Sequence, residues 1–290
     1  MPKDKNRHRF ELVKTRLGVV TIKNMELGEI LHNPLGPWRE ANDLYVNYSN
    51  IKQKFMNLKL KEEPLVLFDL GLGAGTNAIA VIDLTRNIQN SCRPLKIISF
   101  ENDLGLLEFA LQNSSSLEFM EKDRFVLQEL LDKGCYSCGN ICWEIRNGEF
   151  THFIAKESNY PEVIFFDFYS PNVAPQIWGL NIFQNLFGLC IKAKDTSILV
   201  TYSRSTAVRT AMLMAGFTVG MANGLANDHE GTVAATESSA ILNPLDNRWL
   251  QRWRLSSRSL PFDLDGDSHS IVNQAILEHR QFSCKTEDLG

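Results

Sequence analysis

The sequence lacks the features that mark membrane-bound, secreted or fibrous proteins. No stretch reaches the roughly 18 apolar residues that a membrane-spanning helix needs. The basic segment 1–9 is not followed by the apolar run of a secretory signal. Internal repeats and low-complexity tracts are also missing. We therefore expect a cytoplasmic globular protein with no membrane partner, whose 290 residues suffice for one large domain with smaller additions.

An excess of positive charge is also missing, because the net charge is −4, so the chain as a whole is not a basic nucleic-acid binder. One segment near the C-terminus does interleave arginines with tryptophans: Arg248, Trp249, Arg252, Trp253, Arg254 and Arg258. Two interpretations are open. The arginines could contact phosphates while the tryptophans stack on bases, or the segment could be a packed helix with a solvated arginine face.

Cysteine is scarce, and half of the six cysteines fall in one C-x-x-C-x-x-x-C cluster, Cys135, Cys138 and Cys142. A structural zinc site usually has four ligands, and the nearest histidine, His152, lies ten residues beyond the cluster. We expect a loop of reduced thiols in a reducing compartment and no bound metal.

The apolar residues that are present indicate an α/β fold. Leu65–Leu70 is apolar except for Asp69, which is typical of a strand buried on both faces of a parallel sheet. Further strands are expected at 94–101, 163–167 and 196–202, and helices at 77–84, 104–111, 177–192 and 205–215. This alternation predicts a doubly wound parallel sheet with its ligand at the carboxyl ends of the strands.

The ends of the chain predict smaller additions to that sheet. Residues 10–23 alternate weakly, as two short strands joined by a turn would, and a helical pattern starts at Trp38. The predicted organisation is a β-hairpin and helix extension over residues 1–60, a central domain over residues 61–262, and a C-terminal tail over residues 263–290.

A glycine-rich turn follows the first buried strand, in the run Asp69-Leu70-Gly71-Leu72-Gly73-Ala74-Gly75-Thr76-Asn77. Its spacing differs from the G-x-G-x-x-G of dinucleotide-binding folds. It resembles the E/D-x-G-x-G-x-G motif of class I S-adenosylmethionine (SAM)-dependent methyltransferases, which have a Rossmann-like fold. The resemblance implies SAM as the cofactor. The residues it assigns to cofactor binding here are Asp69, Gly71, Gly73, Gly75 and Asn77.

Acidic residues near the ends of the next strands extend this interpretation. Glu101 ends the second strand, where the two oxygens of a carboxylate can accept hydrogen bonds from both ribose hydroxyls of the cofactor. Gly148 and Glu149 precede the third strand, at the position that often holds an acid near the adenine amino group in this fold. We expect all three residues to contact SAM.

The third strand ends in Asp167-Phe168-Tyr169-Ser170-Pro171, which resembles the D/N-P-P-Y/F motif of amino-group methyltransferases with its first proline replaced. An acid beside an acceptor amine can orient its lone pair and receive a proton as charge develops. Aromatic rings can stack on a base or shield the methyl cation. Asp167 and Tyr169 are therefore the predicted catalytic residues.

Three blocks together resemble the methyltransferase module of the tRNA 5-methylaminomethyl-2-thiouridine biosynthesis protein (MnmC) and its stand-alone relatives. The first is Gly28–Asn33 followed by Gly36-Pro37-Trp38-Arg39-Glu40-Ala41 and Leu44-Tyr45-Val46. The second is Asp167–Pro171 with Pro175 and Trp178. The third is Leu199–Ser203 with Ala207-Val208-Arg209 and Ala215-Gly216-Phe217. The resemblance covers roughly residues 15 to 262.

This resemblance implies transfer of a methyl group from SAM to the aminomethyl nitrogen on carbon 5 of the wobble uridine, with the tRNA anticodon stem-loop as partner. It implies a stand-alone form without the FAD-dependent oxidase domain of the bifunctional proteins, so that another enzyme supplies the substrate. The substrate-binding residues it suggests are Glu40, Tyr45, Phe168, Ser170, Pro171 and Trp178.

Two other functions fit the same fold. An aminopropyltransferase of the polyamine synthase type would use decarboxylated SAM and would also deprotonate an amine with a strand-end acid, although the opening segment and the context of Trp178 argue against it. A non-catalytic RNA-binding protein on the same fold is the other alternative. Binding of SAM separates both from a methyltransferase.

Overall fold

A computed structural model describes residues 8–32, 34–88, 92–117, 119–223 and 230–283. The chain forms two compact units: one comprises Met1–Phe153 with Phe165–Asp167, and the other comprises Ile154–Ile164 with Phe168–Gly290. In the part of the chain that the structure describes, no helix is long and apolar enough to cross a membrane.

The first unit begins with a hairpin, continues through short helices and then alternates strands with helices. Its elements are β1 Phe10–Lys14, β2 Val20–Asn24, α1 Pro37–Glu40, a π-helical segment Ala41–Val46, α2 Ile51–Phe55, β3 Leu65–Leu70, α3 Thr76–Asn87, β4 Leu95–Glu101, α4 Gly105–Gln112, α5 Arg124–Lys133, β5 Cys135–Cys138, β6 Ile141–Asn147, α6 Phe150–Ile154 and β7 Val163–Phe166. The last residue of α6 and the first two of β7 are counted with the second unit.

The sheet of the first unit has the strand order β5-β6-β4-β3-β7. Strand β4 pairs in parallel with both β3 and β6. Every residue of β3 is buried, because helices cover both faces of such a sheet and leave no polar face. The carboxyl ends of β3 and β4 therefore lie at one edge of the sheet, as predicted, and Asp167 joins that edge by donating its backbone N–H to the Leu70 carbonyl across 2.8 Å.

The cysteine cluster was predicted to be a loop, and this prediction is wrong. Cys135 and Cys138 begin and end β5, which pairs antiparallel with β6, the strand that carries Cys142. The hairpin was missed because its polar, thiol-bearing residues occupy an edge strand, where only one residue, Tyr136, is buried. All three thiols are free of disulfide bonds.

The predicted helix that starts at Trp38 changes its winding part of the way along. After α1 the chain forms the π-helical segment Ala41–Val46, in which the backbone N–H of Asn47 reaches back five residues to the carbonyl of Asn42. Such wide turns are rare and occur frequently at functional sites. This segment carries Tyr45, whose side chain is buried.

The second unit holds the remaining helices and three antiparallel-paired strands. Its elements are α7 Leu180–Cys190, β8 Ile198–Thr201, α8 Thr206–Ala215, β9 Thr218–Asn223, β10 Glu230–Ala235, α9 Asn247–Arg254, α10 His269–Leu277 and α11 Arg280–Ser283. Its strand order is β8-β10-β9, with β10 antiparallel to both neighbours. Ser205 and Gly216 flank α8 as predicted, and the positive φ of Gly216 (111°) ends that helix.

Helix α9 decides between the two interpretations of the arginine and tryptophan segment. Trp249 and Trp253 are buried at 5% and 2% exposure. The Trp253 indole N–H donates to the Thr210 hydroxyl on α8 across 2.9 Å. The expectation that these tryptophans stack on RNA bases is therefore wrong, since they anchor α9 within the protein. The arginines of the helix remain exposed.

Candidate active site

The glycine-rich turn between β3 and α3 is built on backbone conformations that favour glycine. The φ angles of Gly71, Gly73 and Gly75 are 88°, 55° and 80°. Residues with a Cβ rarely adopt these values. The alternating glycines thus allow the chain to leave a buried strand and start a helix within a few residues.

Two of these glycines meet different surroundings. A Cβ added at Gly75 would lie 2.6 Å from a methyl carbon of Leu127, whereas one added at Gly73 would meet only Leu106, at 3.7 Å. Gly75 is therefore needed for packing within the protein. At Gly73 a Cβ would make only an ordinary contact with Leu106, so packing does not require glycine there, and the bare backbone is suited to close approach by a ligand.

Two buried oxygens behind the loop have no hydrogen-bond partner among the described residues, Asp69 Oδ1 and Thr76 Oγ1. The other oxygen of Asp69 accepts a hydrogen bond from Ser99 across 2.7 Å, and Ser99 in turn accepts from the Trp143 indole N–H. Burial, partly offset by the Ser99 bond, raises the pKa of Asp69 to about 7. At 1% exposure, Asp69 lies beneath the loop rather than on its surface.

Glu101 lies at the end of β4, beside the glycine loop. Its Oε1 accepts the backbone N–H groups of Asn102 and Asp103 at 2.8 and 3.1 Å. Its Oε2 is 3.4 Å from the backbone nitrogen of Gly73, a long bond that leaves this oxygen with capacity for further donors. Burial raises the pKa of Glu101 against these three backbone donors.

The residues predicted to lie near adenine are close to Glu101. The backbone N–H of Gly148 donates to the Glu101 carbonyl across 2.8 Å. The carboxylate of Glu149 is exposed and accepts the Asn102 side-chain amide across 3.4 Å. The loop, the strand-end acid and this second acid thus occupy one region of the first unit.

Asp167 follows β7 and is held by two side chains from elsewhere in the sequence. The Tyr45 hydroxyl donates to its Oδ1 across 2.5 Å, and the Asn77 side-chain amide donates to its Oδ2 across 2.7 Å. The ring of Tyr45 packs on Phe165 with centroids 5.3 Å apart. The structure thus brings together Tyr45, Asn77 and Asp167, which were predicted to have three different roles.

The environment of Asp167 keeps its pKa near neutrality. Burial is the largest influence and raises the pKa to about 6, while the bonds from Tyr45 and Asn77 lower it. A carboxylate with such a pKa can take a proton from an amine and release it near neutral pH.

The residues that follow Asp167 in the chain belong to the second unit, where polar groups fix their backbone. The Tyr202 hydroxyl donates to the Phe168 carbonyl across 2.9 Å, and the Trp178 indole N–H donates to the Tyr169 carbonyl across 2.9 Å. Ser170 starts a turn, because its carbonyl accepts the N–H groups of Val173 and Ala174, and Pro171 is half-buried within that turn.

The side chain of Trp178 is not exposed in this segment. Its side chain is fully buried and packs edge-on against Tyr202, with ring centroids 6.0 Å apart. Its contribution to the segment is therefore to hold the backbone of Tyr169. Glu40, the last residue of α1, is half-buried.

Sequence reasoning missed two residues that organise the site, Ser99 and Tyr202. Ser99 is one polar residue inside an apolar strand, and its pairing opposite Asp69 in the β3–β4 register was the signal that could have revealed it. Tyr202 was part of a motif but received no role, because its target is a backbone carbonyl.

Comparisons with known proteins agree with this geometry. A family model described as S-adenosyl-L-methionine-dependent methyltransferase matches residues 120–237. An uncharacterized protein of Methanocaldococcus jannaschii is 23% identical over 278 residues, which is 93% of this chain and 71% of that protein.

Two further relatives carry MnmC names. The tRNA 5-methylaminomethyl-2-thiouridine biosynthesis bifunctional protein MnmC of Burkholderia vietnamiensis is 20% identical over 83% of this chain. The chain spans only 36% of the length of that protein. The solved structure of MNMC2 from Aquifex aeolicus superposes with a TM-score of 0.71 at 26% identity, over 92% of this chain and 84% of that one.

The fold, the glycine loop and these matches define a class I SAM-dependent methyltransferase. Within that class, the chain is similar over most of its length to methyltransferases of the MnmC type, so the family resemblance is confirmed. The two alternative functions are thereby set aside in favour of methyl transfer.

The residues present fit SAM as the cofactor. The backbone of Gly73 has no close side-chain neighbour, since even an added Cβ would meet only Leu106, at 3.7 Å. The Oε2 of Glu101 can accept further hydroxyl donors beside its single long bond. The raised pKa of Glu101 indicates a carboxylate with too few donors for its burial, and the ribose hydroxyls of SAM would supply them.

Proposed function

We propose that this methyltransferase modifies tRNA by methylating the aminomethyl nitrogen on carbon 5 of the wobble uridine, with the anticodon stem-loop as its partner in the cytoplasm. The observation that carries the proposal is the half-buried Asp167 carboxylate, held by Tyr45 and Asn77 in the same unit as the glycine loop. The names of the MnmC relatives support the choice of tRNA.

The proposed cofactor contacts come from the loop and the strand-end acids. Gly71 and Gly73 would lie against the methionine and ribose part of SAM, Glu101 would accept the ribose hydroxyls, and Gly148 with Glu149 would lie beside the adenine. Gly75, Asp69 and Asn77 would support the loop from within. A Cβ at Gly75 would meet Leu127, Asp69 is buried beneath the loop, and the Asn77 amide is bonded to Asp167.

When bound, SAM supplies an electrophilic methyl group on a sulfonium, and the reaction is an in-line displacement. The acceptor must be a neutral amine with its lone pair directed at the methyl carbon. Asp167 would orient that amine through an N–H···O bond and accept the proton that the nitrogen loses as its new carbon bond forms. The protein contributes orientation and a water-poor pocket rather than the reactive group.

The remaining predicted residues would serve the acceptor. Tyr169, whose backbone is fixed by Trp178, is proposed to stack on the uracil ring or shield the methyl group. Phe168, Ser170 and Pro171 are proposed to bind the substrate. Glu40, in the opening helix, is proposed as a further substrate-binding residue.

The test is methylation of tRNA from cells that lack this modification, using radiolabelled SAM and nucleoside analysis of the product. The expected product is the 5-methylaminomethyl nucleoside. Asp167→Ala should lose turnover while SAM affinity, measured by titration calorimetry, is retained. Glu101→Gln should weaken SAM binding by about 1 kcal/mol or more, because one charge-assisted acceptor is lost.

Three outcomes would contradict the proposal. Full activity of Asp167→Ala would remove the acceptor role, and a methylated product on another atom or base would remove the wobble position. Preference for decarboxylated SAM over SAM in the same calorimeter would point to aminopropyl transfer instead.

A further inference from the structure

The exposed side of helix α9 carries positive charge that nothing in the described part of the chain neutralises. The segment 247–258 contains four arginines and no acidic residue, in a chain whose net charge is −4. Arg248 and Arg252 are exposed and lie one turn apart, on the same side of the helix. Neither side chain forms a hydrogen bond or an ion pair with a described residue.

Arg204 lies close to this helix. It precedes α8, and α9 packs on α8 through the bond from Trp253 to Thr210. Both Arg204 and Arg252 act electrostatically on Arg209, the buried arginine of α8. Arg209 is already neutralised, since it donates to Glu230 across 2.6 Å. Arg204 is exposed and has no acidic partner among the described residues.

This arrangement costs the protein stability. Like charges at positions i and i+4 of a helix, such as Arg248 and Arg252, repel one another. Burial, together with repulsion from Arg252 and Arg204, lowers the pKa of Arg209. Glu230 offsets the repulsion at Arg209, but no described acidic residue offsets the repulsion among Arg204, Arg248 and Arg252. Charge placed at a cost within the fold is typical of a surface that meets an opposite charge from outside.

We propose that Arg204, Arg248 and Arg252, the arginine face, bind the phosphate backbone of an RNA. This inference rests on the proposed function, and it assigns the residues that would recognise the substrate away from the reacting base. Guanidinium groups suit phosphates because they donate two parallel hydrogen bonds and stay charged.

The geometry favours a polymer over a single phosphate. Arg248 and Arg252 are four residues apart and so about 6 Å apart along the helix axis, and both are exposed rather than converging on a buried pocket. Arg204 comes three residues after the carboxyl end of β8, at the end of a strand where α/β proteins bind ligands. A row of exposed guanidinium groups at such an edge matches a row of phosphates.

The helix is also held rigidly behind the arginines. Asp246 caps it by accepting the backbone N–H of Trp249 across 3.0 Å, and Trp249 stacks on Phe282 with centroids 6.0 Å apart and planes 6° from parallel. The apolar residues of α9 are buried in these contacts, so the helix has no apolar face left for insertion into a membrane. Its exposed side is suited to polyanions in water.

The experiment measures binding of fluorescently labelled, unmodified tRNA by polarisation at several salt concentrations. Arg252→Ala and Arg204→Ala should each weaken binding roughly threefold to fivefold, and each should lower the slope of log affinity against log salt by about 1. Arg252→Lys should retain most of the slope. Arg124→Ala, which removes an exposed arginine from the start of α5 in the other unit, is the matched control and should change neither quantity.

Two further readouts separate this role from a structural one. Because the arginines repel one another, the melting temperature of Arg252→Ala should stay the same or rise, and SAM affinity should not change. A fall in melting temperature together with unaltered tRNA binding would overturn the proposal. An equal loss of tRNA affinity in Arg124→Ala would also overturn it. So would stronger binding of the wild-type protein to phosphatidylglycerol vesicles than to tRNA.

The binding assay and the methylation assay fail independently. If tRNA binding depends on the arginine face but no methylated wobble uridine forms, the proposed reaction is wrong and the RNA surface stands. If the modification forms normally in the Arg204→Ala/Arg252→Ala double variant at limiting tRNA, the RNA surface is wrong and the reaction stands.

Discussion

Replacing Tyr45 with phenylalanine tests whether Asp167 is tuned by its hydrogen-bond donors. The Tyr45 hydroxyl donates to Asp167 across 2.5 Å, and this bond lowers a pKa that burial raises to about 6. A hydrogen bond to a charged group contributes about 1.5 to 3 kcal/mol, and one pKa unit corresponds to about 1.4 kcal/mol. Loss of the hydroxyl should therefore raise the pKa of Asp167 by about 1 to 2 units.

The direction of the effect on activity follows from the role of the carboxylate. Only the deprotonated form of Asp167 accepts a proton, so activity falls as the pH drops through its pKa. For Tyr45→Phe the midpoint should rise from near pH 6 to about 7 to 8, which lowers the rate at pH 7 by about twofold to tenfold and leaves it nearly unchanged at about pH 9. The assay is kcat/KM for methyl transfer from labelled SAM across this range.

Phenylalanine keeps the aromatic ring that packs on Phe165, so the fold should be maintained, and thermal unfolding checks this directly. Tyr160→Phe removes a hydroxyl from a tyrosine that is 41% exposed and should leave the profile unchanged. A rate that drops equally at every pH, with the midpoint unmoved, would refute the reasoning, because it would mean that Tyr45 does not act through the protonation of Asp167.

Four other substitutions test three separate expectations. Gly73→Ala should weaken SAM binding and lower the free energy of unfolding by about 1 kcal/mol, because its φ is positive. Gly75→Ala should lower that free energy by about 1 to 3 kcal/mol more, because its Cβ would also meet Leu127 at 2.6 Å. Equal losses of stability in the two variants would contradict the distinction. The raised pKa of Asp69 makes the folded state bind a proton that the unfolded state releases, so stability should be lost as the pH rises from about 4 towards and beyond 7. Asp69→Asn should flatten that part of a urea-unfolding series, and an unchanged slope would exclude Asp69 as its source. Trp253→Phe should cost about 1 kcal/mol in thermal unfolding through loss of its hydrogen bond to α8, and no cost would mean that this bond does not anchor α9.

The parts of the fold that the sequence predicted are those with strong local signals. Leu65–Leu70 matches β3 residue for residue, because a strand buried on both faces needs an unbroken apolar run. Ser205 and Gly216 bound α8 as expected, since a helix start and end have their own preferred residues. The β5–β6 hairpin gave no such signal, because an edge strand with one buried residue does not alternate clearly.

The sequence predicted most residues of the candidate site but not the hydrogen bonds between them. Glu101 was expected from its place at a strand end together with the glycine loop, and Asp167 from its strand-end motif. That Asn77 bonds to Asp167 rather than facing only the cofactor depends on a pairing across 90 positions of sequence. Ser99 and Tyr202 were missed for the same reason, since their partners are fixed only when the strands come together.

Tyr45 joins these two observations. An ordinary helix advances 3.6 residues per turn, and on that spacing Tyr45 and Tyr48, three residues apart, would lie on one face. The π-helical winding of Ala41–Val46 widens the turn, and Tyr45 is buried against Phe165 and Asp167 whereas Tyr48 is only half-buried. A wide turn has less favourable backbone geometry than an α-helical turn. In the described structure it accompanies the hydrogen bond from the Tyr45 hydroxyl, which lowers the pKa of Asp167. The irregular winding is therefore consistent with the proposed acceptor site. The family resemblance assigned Tyr45 to the substrate, but its bond to Asp167 could not be predicted from periodicity, which assumes regular helices.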